Sequence, residues 1–329
     1  MDKPTLIVVT GPTASGKTGL AIELARRLGT EVISADSRQV YRGMPVTTAV
    51  PTAAERAMVP HHLVEILDVP DNYSAARFAD DAMAILPRLF DKSGCAVVCG
   101  GSMMYIDALV KGIDDMPTVT PEVRTRVQEM LNDHGQEGLL AMLQIYDPDY
   151  YAVVDRANTK RVMHALELCL QSGRPYSHFR RGYSVDRPWR TVALTIGHDR
   201  AALFDRINRR VDAMVAAGME DEARALYPLR FTAPLPPGMP LEQALANPGM
   251  LTNSLNTVGF KEWFAYFDGF MDRPTAIARI AKNTRVYAKK QLTWLSRPGA
   301  LPHTVLDPAA DIVEQALRVV ADFTKNITD

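Results

Sequence analysis

Residues 11–18 read Gly11-Pro12-Thr13-Ala14-Ser15-Gly16-Lys17-Thr18, and they constrain the fold more than any other stretch. The apolar run Leu6-Ile-Val-Val9 precedes them, and Leu20-Ala-Ile-Glu-Leu-Ala-Arg-Arg27, with helical spacing, follows. A strand, a Gly-x4-Gly-Lys-Thr turn and a helix form the context of a phosphate-binding P-loop. The glycines let successive backbone N–H groups point into one concavity, and the helix N-terminus adds partial positive charge there. Lys17 can reach outlying phosphate oxygens, and the Thr18 hydroxyl can sit on a bridging Mg²⁺. Such a loop takes a di- or triphosphate without saying which.

Residues 1–112 alternate between strand and helix patterns. Strands are predicted over 5–10, 31–35 and 96–99, and helices over 16–28, 73–89 and 102–110. That alternation predicts an α/β, P-loop NTPase-like core with a mainly parallel sheet. Ligands in such sheets bind beyond the strand C-termini. Gly11, Asp36 and Gly100-Gly101-Ser102 all fall there, on three different strands. From 113 to 189 the strands cease, and helices are predicted over 121–131, 136–143 and 159–171. This segment reads as an all-helical insertion domain. A basic loop follows its helices and carries Arg174, Arg180, Arg181, Arg187 and Arg190. The core pattern resumes over 190–329, with a strand at 191–196. Helices follow near 200–217, 219–227, 260–268, 273–296 and 309–324, with a Pro-rich loop at 228–250 and a short strand at 304–306.

The formal net charge of −1 over 329 residues gives no global pull toward nucleic acid, so any such binding needs a local basic patch. Cys95, Cys99 and Cys169 lack metal-ligand spacing and suit a reducing cytoplasm. The first strand begins too early to leave room for a signal peptide, and no apolar run approaches membrane-spanning length, so no membrane role is expected.

Asp36 ends the second strand facing the P-loop. A carboxylate there can take a proton from a nucleophile attacking the bound phosphoester, or cap a helix, or hold Mg²⁺ through water. Arg38 and Gln39 add planar groups suited to base edges or phosphates. The Ser102 hydroxyl can meet a phosphate oxygen or cap the next helix. No Asp follows the 96–99 strand, which argues against an ATPase motor. His61 and His62 have no partners at ligand spacing and read as hydrogen-bonding loop residues. Residues 282–297 hold Lys282, Arg285, Lys289, Lys290 and Arg297 with no acidic residue, besides Tyr287 and Trp294. That is a basic helix suited to RNA, or a solvated face with Trp294 in the core.

Eight strings together carry a resemblance. They are the P-loop, Ala-Asp-Ser-Arg-Gln-Val-Tyr-Arg-Gly-Met at 35–44, Pro-His-His-Leu at 60–63 and Tyr-Ser-Ala-Ala-Arg-Phe at 73–78. Gly-Gly-Ser-Met-Met-Tyr at 100–105 and Asn-Thr-Lys-Arg-Val-Met-His-Ala-Leu-Glu at 158–167 follow. Val-Gly-Phe-Lys-Glu at 258–262 and Asn-Thr-Arg-Val-Tyr-Ala-Lys-Lys-Gln-Leu-Thr-Trp at 283–294 complete them. The chain resembles the tRNA dimethylallyltransferases (tRNA isopentenyltransferases) almost end to end.

The resemblance implies transfer of a dimethylallyl group from dimethylallyl diphosphate to N6 of adenosine-37, beside the anticodon, in tRNAs reading codons that begin with U. It implies Asp36 as proton acceptor, with Ser102 and the P-loop on the diphosphate, Mg²⁺ on Thr18, and a further cation from Arg206 or Arg210. It implies a grip on the flipped base by Ser37, Arg38 and Gln39. Further tRNA contacts are implied at Arg124; at Lys160, Arg161, Val162, Met163 and His164; at Thr257, Val258, Gly259, Phe260 and Lys261; and at Lys289, Lys290, Gln291 and Trp294. A monomer in the cytoplasm is expected. Three positions depart from the family pattern. Ser102 replaces the usual Thr, Val50 replaces a Lys, and His164 replaces an Arg. A P-loop small-molecule kinase with Asp36 as its base is the alternative.

Overall fold

The inner strands of the sheet are apolar on both faces, and they hand their side chains alternately to two helical layers. The structure is a computed structural model that describes residues 3–114, 116–180 and 185–325. In chain order its first elements are β1 (Thr5–Thr10), α1 (Lys17–Arg27), β2 (Val32–Ser34), α2 (Pro45–Thr48), α3 (Ala53–Met58) and β3 (His61–His62). Next come α4 (Ala75–Ser93), β4 (Cys95–Gly100), α5 (Met103–Lys111), α6 (Pro121–Tyr146), α7 (Pro148–Val153) and α8 (Thr159–Ser172). The remainder are β5 (Arg190–Ile196), α9 (Arg200–Ala216), α10 (Met219–Leu226), α11 (Leu241–Ala246), α12 (Phe260–Phe267), α13 (Arg273–Leu295), β6 (Thr304–Leu306) and α14 (Ile312–Lys325).

The chain forms two compact units. The first comprises Met1–Lys111, Val185–Pro234 and Leu251–Asp329. Its sheet has the order β3-β2-β4-β1-β5-β6, with every neighbouring pair parallel. Parallel strands need helical crossovers, and those cover both faces. Leu6 and Val8 join Ile33, Val98, Phe260 and Trp263 on one face, while Ile7 and Val9 join Leu20, Leu24, Val97 and Leu194 on the other. Each such buried aliphatic side chain stabilises the fold by about 1.5–3 kcal/mol. The sequence left His61 and His62 as loop residues; they instead form the edge strand β3, paired to Val32 and Ile33.

The second unit comprises Gly112–Ser184 and Leu235–Met250. The insertion read at 113–189 thus gives 185–189 to the first unit, and residues 235–250 of the Pro-rich loop join the second. Its core brings together Val127, Leu139 and Leu143 of α6 with Val162, Leu166 and Cys169 of α8. The two helices expected at 121–131 and 136–143 run end to end as α6, and only Gly135 leaves helical geometry, at φ 64°. Asp147 is wholly buried there and accepts hydrogen bonds from the Tyr150 and Ser177 amides and the Ser177 hydroxyl. Arg181, of the basic loop, lies outside the described residues.

One ion cluster pins α4 to the sheet edge. Glu31, just before β2, is buried, and its carboxylate meets Arg88 at 2.7 Å, His62 at 2.7 Å and Lys92 at 3.0 Å. The Arg88 guanidinium, helped by His62 and Lys92, pulls the Glu31 carboxyl down to about 2. A carboxyl depressed in the folded state from an ordinary value of 4.5 adds stability that is complete above pH 4.5 and lost as the pH falls toward 2. Glu31→Gln should therefore melt below wild type at pH 7, with the gap closing through that window in a pH series of thermal midpoints. A gap of equal size at every pH would show that the charge is not the source.

Candidate functional site

Gly11, Asp36 and Gly100 emerge side by side at the C-terminal edge of the sheet because β2, β4 and β1 are neighbours in register. Gly100 has to lack a side chain. A Cβ there would lie 2.1 Å from the backbone oxygen of Ala35, the residue before Asp36. The two strand ends are packed backbone against backbone.

The P-loop between β1 and α1 is held in shape from outside. Ala14 sits at φ 63°, which a non-glycine residue adopts at a cost, so its neighbours must fix it. Arg206 Nε donates to the Ala14 carbonyl oxygen at 2.8 Å, and His198 Nε2 to that of Ser15 at 2.8 Å. Lys17 folds over the loop, with Nζ 3.3 Å from the Pro12 carbonyl oxygen. Burial pushes the Lys17 ammonium below its ordinary value, with Arg210 acting in the same direction and Asp36 against both. Burial likewise lowers Arg210, and the Asp36 carboxylate offsets it. A cradle of half-buried, partly desolvated cations suits an anion. The buried hydroxyls of Thr10 and Ser15 find no hydrogen-bond partner among the described residues.

Thr13, Lys17, Thr18 and Asp36 line one cavity of about 1030 Å³. Ser37, Arg38, Gln39, Thr257, Val258 and Lys261 line it too, as does Tyr287. An apolar stretch of its wall comes from Val50, Met214, Ala217, Met219, Val258 and Ile280. A second, smaller opening of about 390 Å³ lies over Gly16, Lys17 and Thr18, edged by Arg206, Arg209 and Arg210. Arg210 lines both openings, whereas Arg206 spends Nε on the loop itself. Asp36 accepts the Arg38 amide at 2.9 Å and that of Gln39 at 3.4 Å, which aims its carboxylate. Ser102 Oγ accepts the Ser37 amide at 2.8 Å, tying the Gly100-Gly101 turn to the Asp36 loop.

Several side chains assigned to tRNA from the sequence are committed elsewhere. Gln291 is buried at 2% exposure, with its amide hydrogen-bonded to Thr13 and Gly101. Val162 and Phe260 are wholly buried in the cores of their own units. Gly259 is a packing position at φ 103°, where a Cβ would strike Met219 and Thr47, and its amide donates to Glu262. The Gln39 amide accepts from the Ser34 hydroxyl and donates to the Thr48 and Ala49 carbonyls. Arg38 donates to the Asn253 carbonyl at 2.8 Å. The Trp294 ring carries the Arg297 guanidinium 3.5 Å from its centre, so one stacking face is covered.

Lys289 and Lys290 are exposed on α13, as is Lys261 on α12. Thr257 and Val258 are half-buried. In the second unit Arg124, Lys160, Arg161 and His164 are exposed, and Met163 is half-buried.

Sequence reasoning missed two supports. Glu222 on α10 accepts the Val46 and Thr47 amides at 2.7 and 2.8 Å, so it anchors the α2 wall of the cavity. Gln291 continues the buried stripe of Ala276, Ile280 and Ala288 along α13, and that helical spacing was the available signal.

The parallel sheet and this cradle define a P-loop α/β protein built to bind a phosphorylated ligand beside a carboxylate. The IPP transferase family profile matches residues 39–298. The chain is 46% identical over 297 residues to tRNA dimethylallyltransferase 2 of Porphyromonas gingivalis, covering 90% of this chain and 92% of that one. It is 45% identical to tRNA dimethylallyltransferase 1 of Bacteroides thetaiotaomicron, covering 89% of each. Among solved structures, the full-length tRNA isopentenylpyrophosphate transferase of Bacillus halodurans superposes with a TM-score of 0.65 at 32% identity, over 98% of both chains. A eukaryotic dimethylallyltransferase acting on tRNA gives 0.80 at 25% identity, over 98% of this chain and 80% of that one. The chain belongs to the IPP transferase family.

Arg210→Ala should weaken binding of inorganic diphosphate by about tenfold or more, the scale of a lost charge-assisted contact. Arg206→Ala should weaken it less, because its Nε serves the loop backbone. Calorimetric titration of both variants decides the order, and the reverse ranking would reassign the two arginines.

Proposed function

We propose that this protein transfers a dimethylallyl group from dimethylallyl diphosphate to N6 of adenosine-37 of tRNAs reading codons that begin with U, releasing diphosphate, as a monomer in the cytoplasm. The observation that carries this reading is the single cavity shared by the P-loop and Asp36, with an apolar wall beside them. A diphosphate occupies the cradle, a branched five-carbon group lies against the apolar wall, and a base enters to meet the carboxylate. The likeness to enzymes named tRNA dimethylallyltransferase supports the same chemistry. No helix among the described residues is long and apolar enough to cross a membrane.

In the reaction, the adenine N6 attacks the allylic carbon as that carbon's bond to the diphosphate oxygen breaks. The amine proton becomes acidic as the new C–N bond forms, and Asp36 accepts it. Its carboxylate is oriented for this by the Arg38 and Gln39 amides. Charge builds on the departing diphosphate, where Lys17, Arg210 and the loop amides stabilise it. The Ser102 hydroxyl, fixed by the Ser37 amide, adds a donor on the other side.

Among the described residues there is no cluster of three or more His, Cys, Asp or Glu that could hold a metal. Mg²⁺ takes one or two protein oxygens and fills its shell with phosphate oxygens and water. Thr18 would hold it, and the ion would supply further neutralisation of the leaving group. The adenosine must leave its stack, at a cost of a few kcal/mol. Lys289 and Lys290 on α13, and Lys160 and Arg161 on α8, supply phosphate contacts to the RNA that offset this cost.

The reading is tested by incubating the protein with Mg²⁺, an unmodified anticodon stem-loop and either radiolabelled dimethylallyl diphosphate or labelled ATP. Label should enter RNA from the prenyl donor alone. Phosphoryl transfer from ATP without prenylation would establish the kinase alternative instead. Asp36→Ala should lower turnover by about 10²-fold or more, with RNA affinity changed far less. Turnover at the wild-type level would mean that the proton leaves by another route. Lys290→Ala should weaken stem-loop binding and reduce the slope of log affinity against log salt by about one unit. An unchanged slope would place Lys290 in solvent.

A further inference from the structure

Gln291 belongs to the most basic helix of the chain, yet its side chain faces the core. Its Oε1 accepts the Thr13 amide at 2.9 Å, and its Nε2 donates to the Gly101 carbonyl oxygen at 2.9 Å. A buried carboxamide is tolerated only when its donor and acceptor are both used, and here they are used on two separate loops. Thr13 lies within the P-loop. Gly101 directly precedes Ser102, whose oxygen holds the Ser37 amide next to Asp36. One side chain therefore ties the P-loop to the turn after β4, and Ser102 in turn ties that turn to the loop that carries the carboxylate.

Gly101 is fitted to this arrangement. A Cβ at that position would lie 2.3 Å from Gln291 Nε2, so any larger residue would evict the amide. The P-loop also needs outside support, because Ala14, the neighbour of Thr13, is left-handed at φ 63°. Arg206 braces the loop at the Ala14 carbonyl, and Gln291 braces it at the Thr13 amide.

We propose that Gln291 is a positioning residue that sets the spacing between the diphosphate cradle and the Ser102–Asp36 side of the site. Its side chain borders the cavity, but its carboxamide is spent on the Thr13 amide and the Gly101 carbonyl. Its effect on prenyl transfer rests on the function proposed above, but its effect on the cradle does not. Misplacing reacting groups by about 1 Å costs on the order of 10²-fold in rate, so a brace of this kind acts on turnover as well as on affinity.

The test is a double-mutant cycle of Gln291→Ala and Gly101→Ala, read by kcat, by KM for each substrate, by thermal midpoint and by the Kd of inorganic diphosphate with Mg²⁺. Each single variant should lower kcat by about tenfold or more and weaken diphosphate several-fold, with KM for the stem-loop within about twofold. The double variant should be little worse than the poorer single, because both changes break the same link. Independent, multiplying losses would overturn the proposal. So would a raised KM for the stem-loop with kcat and diphosphate affinity intact, which would make Gln291 an RNA contact. A lowered melting point with both of those unchanged would reduce it to a core residue and overturn the proposal as well. If Gln291→Ala does not fold, Gly101→Ala alone must show the same loss of diphosphate affinity, or the proposal fails. The diphosphate titration needs no prenyl transfer, so it decides the matter even if the wild-type protein transfers no label to RNA.

Discussion

The site depends on backbone amides at the end of a buried strand, held open toward an anion. β1 lies between β4 and β5, so the loop that follows it is flanked by the ends of both neighbours. Gly11 shows how tight the result is, because a Cβ there would lie 2.9 Å from the Thr195 hydroxyl oxygen of β5. Sheet order therefore places the cradle, and the cradle places everything else. Lys17 and Arg210 are partly desolvated cations around a concavity of N–H groups, an arrangement that costs stability until an anion arrives. In the function proposed, binding energy from the diphosphate offsets that cost, and the same charges then favour its departure as a leaving group.

Much of the core was legible because it is encoded locally. The Gly-x4-Gly-Lys-Thr turn, the strand patterns at 5–10, 96–99 and 191–196, and the glycine pair at 100–101 each announce their conformation within a few residues. The placing of Asp36 beside the P-loop followed from the rule that parallel sheets gather their loops at one edge. Side-chain direction within these segments was less legible. Gln291, Val162 and Phe260 sit in strings that resemble RNA-contacting motifs, yet their side chains are buried. A string of letters reports a neighbourhood, whereas only the helical phase of each residue says which way it faces.

The other misreadings have a tertiary origin. His61 and His62 carry no strand pattern of their own and become β3 only because β2 offers an open edge. Residues 235–250 gave no sign that they pack with the second unit, since membership of a unit is decided by contacts far away in sequence. Glu222 was invisible for a like reason. An acidic residue in a helical first turn reads as a favourable dipole partner, while its carboxylate here serves the amides of a different helix.

Glu31 and Asp36 occupy opposite ends of the short strand β2, and their duties are as far apart as their positions. Robustness toward acid is vested in a cluster on one rim of the sheet, while the proposed chemistry belongs to a pocket on the other. Variation in Arg88 or Lys92 can thus retune tolerance to harsh surroundings in a lineage without touching the chemistry.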